Sequence, residues 1–142
     1  MYLEYRVDGG DFQASGQAAA GIKRTLRQIG IDAEVARRAA IVTYEAEMNI
    51  AIHAYLGTIS IEILPERIII QADDEGPGIA DIPAAMQVGY STATEDIREM
   101  GFGAGLGLPN MRRYSDEFEI ESQVGVGTSV RAVIILPAKE GN

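Results

Sequence analysis

Apolar residues recur along the chain with two alternating periods, and the switches between them mark its elements. Residues 2–7 alternate as a short strand that the turn signal Asp8-Gly9-Gly10 closes. From Ser15 the period becomes helical: Ala19, Ile22, Leu26 and Ile29 share a face, with Ser15 as expected N-cap and Gly30 as the stop. A longer helix is expected from Asp32 to about Tyr55, with Val35, Ala39, Val42, Ala46, Asn49 and His53 along one face. That face turns polar after three apolar turns, which a purely structural helix rarely does.

Strands are then expected over residues 58–63 and 67–72, either side of a Pro65-Glu66 turn. Residues 73–107 read as a long glycine-rich connection with one helical turn near residues 82–87. A helix over residues 108–115 follows, then strands over 117–122 and 128–136 joined by Gly125-Val126-Gly127. This order predicts an α+β fold: a two-layer sandwich with a mixed, mostly antiparallel sheet and helices on one face, in a single domain over residues 1–142.

Composition narrows the function. Twelve Lys and Arg against 21 Asp and Glu give 12 − 21 = −9, which argues against nucleic-acid or anionic-membrane partners. The chain has no cysteine and one histidine, so thiolate zinc sites, cysteine nucleophiles and His-rich metal centres are excluded. No apolar run approaches the roughly 20 residues of a membrane span. The first residues lack a signal-peptide pattern, and a cytoplasmic location is expected. Of 16 glycines, seven fall between Gly76 and Gly107, which marks a place where the backbone must bend or admit a ligand.

Four short segments carry candidate chemistry. Glu45 and Asn49, at i and i+4, project from one helix face. The amide could hold a hydrated Mg²⁺ and the carboxylate could accept a proton from an attacking hydroxyl, though a solvated pair reads the same way. Glu47 points elsewhere on the helix and is expected at the surface. Asp74, followed by Gly76, Gly78 and Ile79, suits a tight fold around a planar ligand whose exocyclic amine the carboxylate accepts; a simple turn is the plain alternative. Alternating glycines at 101, 103, 105 and 107 free successive N–H groups to wrap an anion ahead of a helix, without matching a P-loop or G-x-G-x-x-G. Gly125-Val126-Gly127-Thr128 is a tight hairpin whose threonine hydroxyl could reach a ligand or carboxylate.

Taken in order, these segments resemble the GHKL (Bergerat-fold) ATP-binding superfamily of gyrase, chaperone and histidine-kinase ATPases, over about residues 14–136. Residues 74–82, Gly89-Tyr90-Ser91-Thr92, Gly103-Ala104-Gly105-Leu106 and Asp116-Glu117-Phe118 look like its anti-sigma-factor and serine/threonine switch-kinase branch. The resemblance implies that ATP and Mg²⁺ are bound and that a serine or threonine of a STAS-type antagonist protein is phosphorylated. By the same match Glu45 is the general base, Asn49 the Mg²⁺ ligand, and Asp74 the adenine reader supported by Thr128. Gly76, Gly78, Ile79, Gly101, Gly103, Gly105, Leu106 and Gly107 complete the nucleotide contacts, with Gly103, Gly105 and Gly107 facing the phosphates. The alternative is a nucleotide-gated protein that sequesters a sigma-factor-like partner with little catalysis; an intact Glu45 favours chemistry. The apolar stripe of the first helix, with the first strand, would serve either a homodimer face or the core.

Overall fold

The computed structural model describes residues 1–87 and 107–137. Its elements run β1 (Tyr2–Asp8), α1 (Gln17–Gln28), α2 (Ala33–His53), β2 (Leu56–Ile63), β3 (Arg67–Glu75), α3 (Ile82–Ala85), α4 (Gly107–Arg113), β4 (Glu117–Gln123) and β5 (Gly127–Ile135). The strands form one sheet of order β1-β2-β3-β5-β4. Every described pairing is antiparallel, so the sheet is not mixed as the sequence suggested. Strands that follow each other in the chain mostly pair directly, and a parallel neighbour would have needed a crossover.

The two-layer α+β arrangement is as expected. Two rungs of inward side chains, Tyr5–Ile59–Ala72–Val130–Ile120 and Leu3–Ile61–Ile70–Ala132–Phe118, cross the sheet in register. Ile22 and Leu26 of α1, Val42 and Ile50 of α2 and Met111 of α4 bury against this face. The apolar stripe of α1 is therefore used in this chain's own core. Ile29 departs from it, at 44 % exposure, because the helix ends one residue earlier. There Gly30 donates to the Arg27 carbonyl and Ile31 to that of Leu26, which returns Ile31 to the core instead.

The starts of the two helices compare differently with the sequence reading. Asp32 caps α2 as expected, its carboxylate accepting from the Glu34 N–H. Ser15 does not cap α1; Gly16 holds that position without a side chain to offer. Glu47 supplies the cap from α2. Its carboxylate accepts from the N–H groups of Gly16 (3.0 Å), Ala18 (3.1 Å) and Ala19 (2.7 Å), and it is 2 % exposed rather than at the surface. Gln17 donates to the Ala14 carbonyl and Ala20 to that of Gly16, so the first turn of α1 has every N–H paired.

Strand β3 runs three residues beyond its expected end, to Glu75. Acidic residues disfavour strands, but pairing of Asp73, Asp74 and Glu75 with β2 on one side and β5 on the other satisfies the backbone of all three. The close of β5 against this end leaves no room for a side chain at Gly127, where an added Cβ would overlap the Asp74 carbonyl oxygen. Gly127→Ala should cost about 2 kcal/mol of stability through the forced shift of the two strands, read by chemical denaturation.

Candidate functional site

Register assembles the first part of the site. Two positions along from the Ala72–Val130 rung, Val7, Gly57, Asp74, Thr128 and Ser122 form a third inward rung across all five strands. Gly57 in this rung lets α2 descend onto the sheet, since an added Cβ would meet the Ile50 side chain at 2.7 Å. The turn of α2 carrying Asn49 thus lies over the rung that carries Asp74. The end of α2 is fastened there as well, because the Tyr55 N–H donates to the Glu75 carbonyl.

Asp74 is half-buried, and burial pushes its carboxyl above the ordinary range; the Thr128 N–H opposes this, and the Asp73 charge adds to it. One carboxylate oxygen accepts from the Thr128 backbone N–H at 3.1 Å. The contact from Thr128 to Asp74 thus runs through its main chain and not its hydroxyl. Its hydroxyl bonds instead to Ser122, 2.9 Å away. Asp73 and Glu75 alternate to the opposite face, where the Ser129 hydroxyl donates to Asp73 at 2.6 Å. Of the acidic run 73–75, only Asp74 belongs to this rung.

Glu45 lies one turn before Asn49 on α2, half-buried. Burial holds its carboxyl above the usual value, while a long 3.5 Å contact from the Asn110 amide works the other way. Gly107, the first residue of α4, lies beside Glu45; an added Cβ would stand 3.4 Å from the carboxylate. Pro109 is the third residue of α4, where a missing N–H leaves no helical bond unmade. Asn49 is half-buried, and its amide bonds to no other described residue, which leaves the oxygen free as a ligand. One turn on, burial lowers the pKa of His53, which keeps the imidazole neutral at pH 7.

The glycines of the 76–79 segment meet protein on their open sides. An added Cβ at Gly76 would stand 3.0 Å from Ala54 Cα. Gly78 has φ +75°, and a Cβ there would collide with the Gln123 carbonyl. The segment is laid against the β4–β5 hairpin by bonds from the Gly76 N–H to the Val126 carbonyl, from the Gly125 N–H to that of Pro77, and from the Ile79 N–H to Ser122 Oγ. Gly101, Gly103, Gly105 and Leu106 lie outside the described residues, as do Gly89 to Thr92 and the charged stretch to Met100.

The structure thus joins Asp74, Thr128, Gly76, Gly78 and Ile79 at one sheet end, with the Asn49 turn of α2 above it, and brings Glu45, one turn earlier, against Gly107 of α4. Sequence reasoning missed Ser122 and Asn110. Ser122 had a signal: in Phe118-Glu119-Ile120-Glu121-Ser122 the third inward position is polar, opposite Thr128. Asn110 had none, because its meeting with Glu45 depends on how α4 packs on α2.

These residues fit an adenine nucleotide on a structural ground. Asp74 commits one oxygen to Thr128, and its other oxygen bonds to no other described residue, so a half-buried acceptor is left for an amine. Among the described residues no helix is long and apolar enough to cross a membrane.

Comparison with known proteins agrees with this arrangement. Residues 12–134 match the family model of the histidine kinase-like ATPase domain. The chain is 33 % identical over 115 residues to the serine/threonine-protein kinase RsbT of Bacillus subtilis, covering 78 % of this chain and 80 % of that one. It is 44 % identical over 92 residues to the anti-sigma F factor of Caldanaerobacter subterraneus subsp. tengcongensis, spanning 61 % of each chain. Among solved structures, the RsbU and RsbW domains of Rv1364c from Mycobacterium tuberculosis superpose with a TM-score of 0.66 at 16 % identity, over 98 % of this chain and 34 % of that one. The SiaB–SiaC complex from Pseudomonas aeruginosa gives 0.65 at 15 %, over 93 % and 88 %. At those identities the two structures speak for the fold alone.

Proposed function

The chain belongs to the histidine kinase-like ATPase domain family, and from that membership we propose that it is an ATP-dependent serine/threonine protein kinase acting on a small STAS-type regulatory protein in the cytoplasm. The kinase RsbT, at 33 % identity over most of both chains, supports this activity. The observation that supports it is the descent of the α2 turn bearing Asn49 and Ile50 onto the Gly57–Asp74 rung.

In this reading Asp74 accepts from the adenine amino group and so orients the nucleotide. Glu45 accepts the proton of the attacking hydroxyl as its oxygen bonds to the γ-phosphorus, and ADP leaves with the electrons of the broken P–O bond. Asn49 would hold Mg²⁺ through its amide oxygen; the cation supplies positive charge to the triphosphate. Glycines 101, 103, 105 and 107, with Leu106, are proposed to wrap the phosphates. The anti-sigma F factor similarity supports a partner of the antagonist type and keeps sequestration as the competing reading.

The test is to incubate the protein with labelled ATP and a purified STAS-domain protein encoded beside it. Label should appear on a serine or threonine of that protein; nucleotide-dependent binding without label would favour sequestration. Asp74→Asn keeps an acceptor for the Thr128 N–H but turns a donor toward the base. It should weaken ATP binding at least about tenfold, measured by calorimetry.

A further inference from the structure

Ser122 Oγ stands at a junction of three contacts. The Ile79 N–H donates to it at 2.7 Å, the Gly127 carbonyl oxygen lies 3.1 Å away, and Thr128 Oγ1 2.9 Å away. A serine hydroxyl has one proton and two lone pairs. The Gly127 carbonyl can only accept, so the Ser122 proton goes to it. Both Ser122 lone pairs are then taken, one by the Ile79 N–H and the other by the Thr128 hydroxyl. With each proton given to a single acceptor, all three bonds coexist in this arrangement alone.

The consequence falls on Thr128, whose proton is turned away to Ser122, leaving only lone pairs on its oxygen. Asp74, directly across the rung from Thr128, also offers only acceptors when ionised. From this the geometry points to Ser122 as the positioning residue that fixes base specificity: it holds Thr128 as an acceptor, so that the site takes 6-aminopurine nucleotides and rejects 6-oxopurine ones. A 6-oxo group would bring a third acceptor against two that cannot donate to it; its neighbouring N1–H could still pair with Asp74, so the cost is that of the one unpaired oxygen. The inference rests on the nucleotide-binding reading of this site, with the Thr128 hydroxyl beside Asp74 facing the purine 6-position. It adds a residue on the neighbouring strand that would contact no part of the base.

The test compares binding of ADP and IDP, which differ at the 6-position and its neighbouring N1, by calorimetry on the wild-type chain and on Ser122→Ala and Ser122→Thr. Wild type should prefer ADP. In Ser122→Ala the Thr128 hydroxyl is free to rotate and donate to a 6-oxo group, and the ADP-to-IDP affinity ratio should fall about tenfold. Ser122→Thr restores the hydroxyl and should restore the ratio, which a merely structural role for Ser122 would not require. An unchanged ratio in Ser122→Ala overturns the assignment. Should that variant fail to fold by circular dichroism, Ser122→Val is read in its place: a reduced ratio supports the assignment, and the wild-type ratio overturns it. If the wild-type chain binds neither nucleotide, the nucleotide-binding reading itself falls. A wild-type preference that survives intact in Ser122→Ala sinks the Ser122 assignment only.

Discussion

Replacing Glu45 with glutamine is expected to lower phosphoryl transfer to the partner protein by about 10²–10⁴-fold while leaving ATP affinity within about twofold. Glutamine keeps the shape and the oxygen facing Asn110 but cannot take a proton at neutral pH. Single-turnover transfer and nucleotide calorimetry separate the two effects; transfer at the wild-type rate would remove Glu45 from the chemistry. Burial holds the Glu45 carboxyl above the ordinary carboxylate range, which also fixes the direction of the pH dependence. Transfer by the wild type should rise with pH through that raised value, since the base works only when ionised. Stability runs the opposite way. A carboxyl whose pKa is raised by folding contributes stability that is present below the unfolded value and lost as pH rises through the folded one. Burial of the Glu45 carboxyl therefore costs the wild type stability as pH rises. Glu45→Gln should melt at a higher temperature at pH 7, and the advantage should vanish in acid, where wild-type Glu45 is also uncharged.

Two residues along the same helix, Glu47→Ala should destabilise the chain by about 3 kcal/mol, or a melting temperature about 10 °C lower. The carboxylate is 2 % exposed and accepts three backbone N–H bonds, two of them buried. It also places a negative charge at the positive end of the α1 dipole. Glu47→Gln separates the contributions. One amide oxygen can still accept, but the amide nitrogen faces N–H donors, so most of the loss should remain. Thermal melts of both variants check this, and a loss under about 1 kcal/mol for the alanine variant would show that α1 finds another cap. Opposite outcomes are thus expected for carboxylates two positions apart. Glu47 points into bonds the fold has made for it, whereas Glu45 points toward a site the fold leaves short of partners.

Much of this was legible in the chain itself. The periods of the apolar residues placed β1, α1, α2, β2, β3, α4, β4 and β5 to within a few residues, because each amphipathic face has to reach the same core. Asp32 could be read as a cap because the bond it makes is local. The start of α1 could not, because its cap arrives from 28 to 31 residues away in sequence. The end of β3 was misread for the same reason: local propensity stops the strand at Ala72, while pairing on both sides carries it to Glu75.

The candidate site divides along the same line. Sequence alone determined which residue types were present and in what order: a glutamate one helical turn from an asparagine, an acidic residue before spaced glycines, and a hairpin ending in threonine. Those are local facts, and they sufficed to suggest the family and an adenine nucleotide. Only the tertiary structure decided which of the three acidic residues at 73–75 faces inward, since a strand reverses its side chains at every residue and register chooses the face. It also decided that the Thr128 backbone N–H donates to Asp74, that the Thr128 and Ser122 hydroxyls pair, and that Asn110 meets Glu45. Each of these is a contact between distant parts of the chain, whose distance and direction are set by packing and which no spacing along one segment encodes.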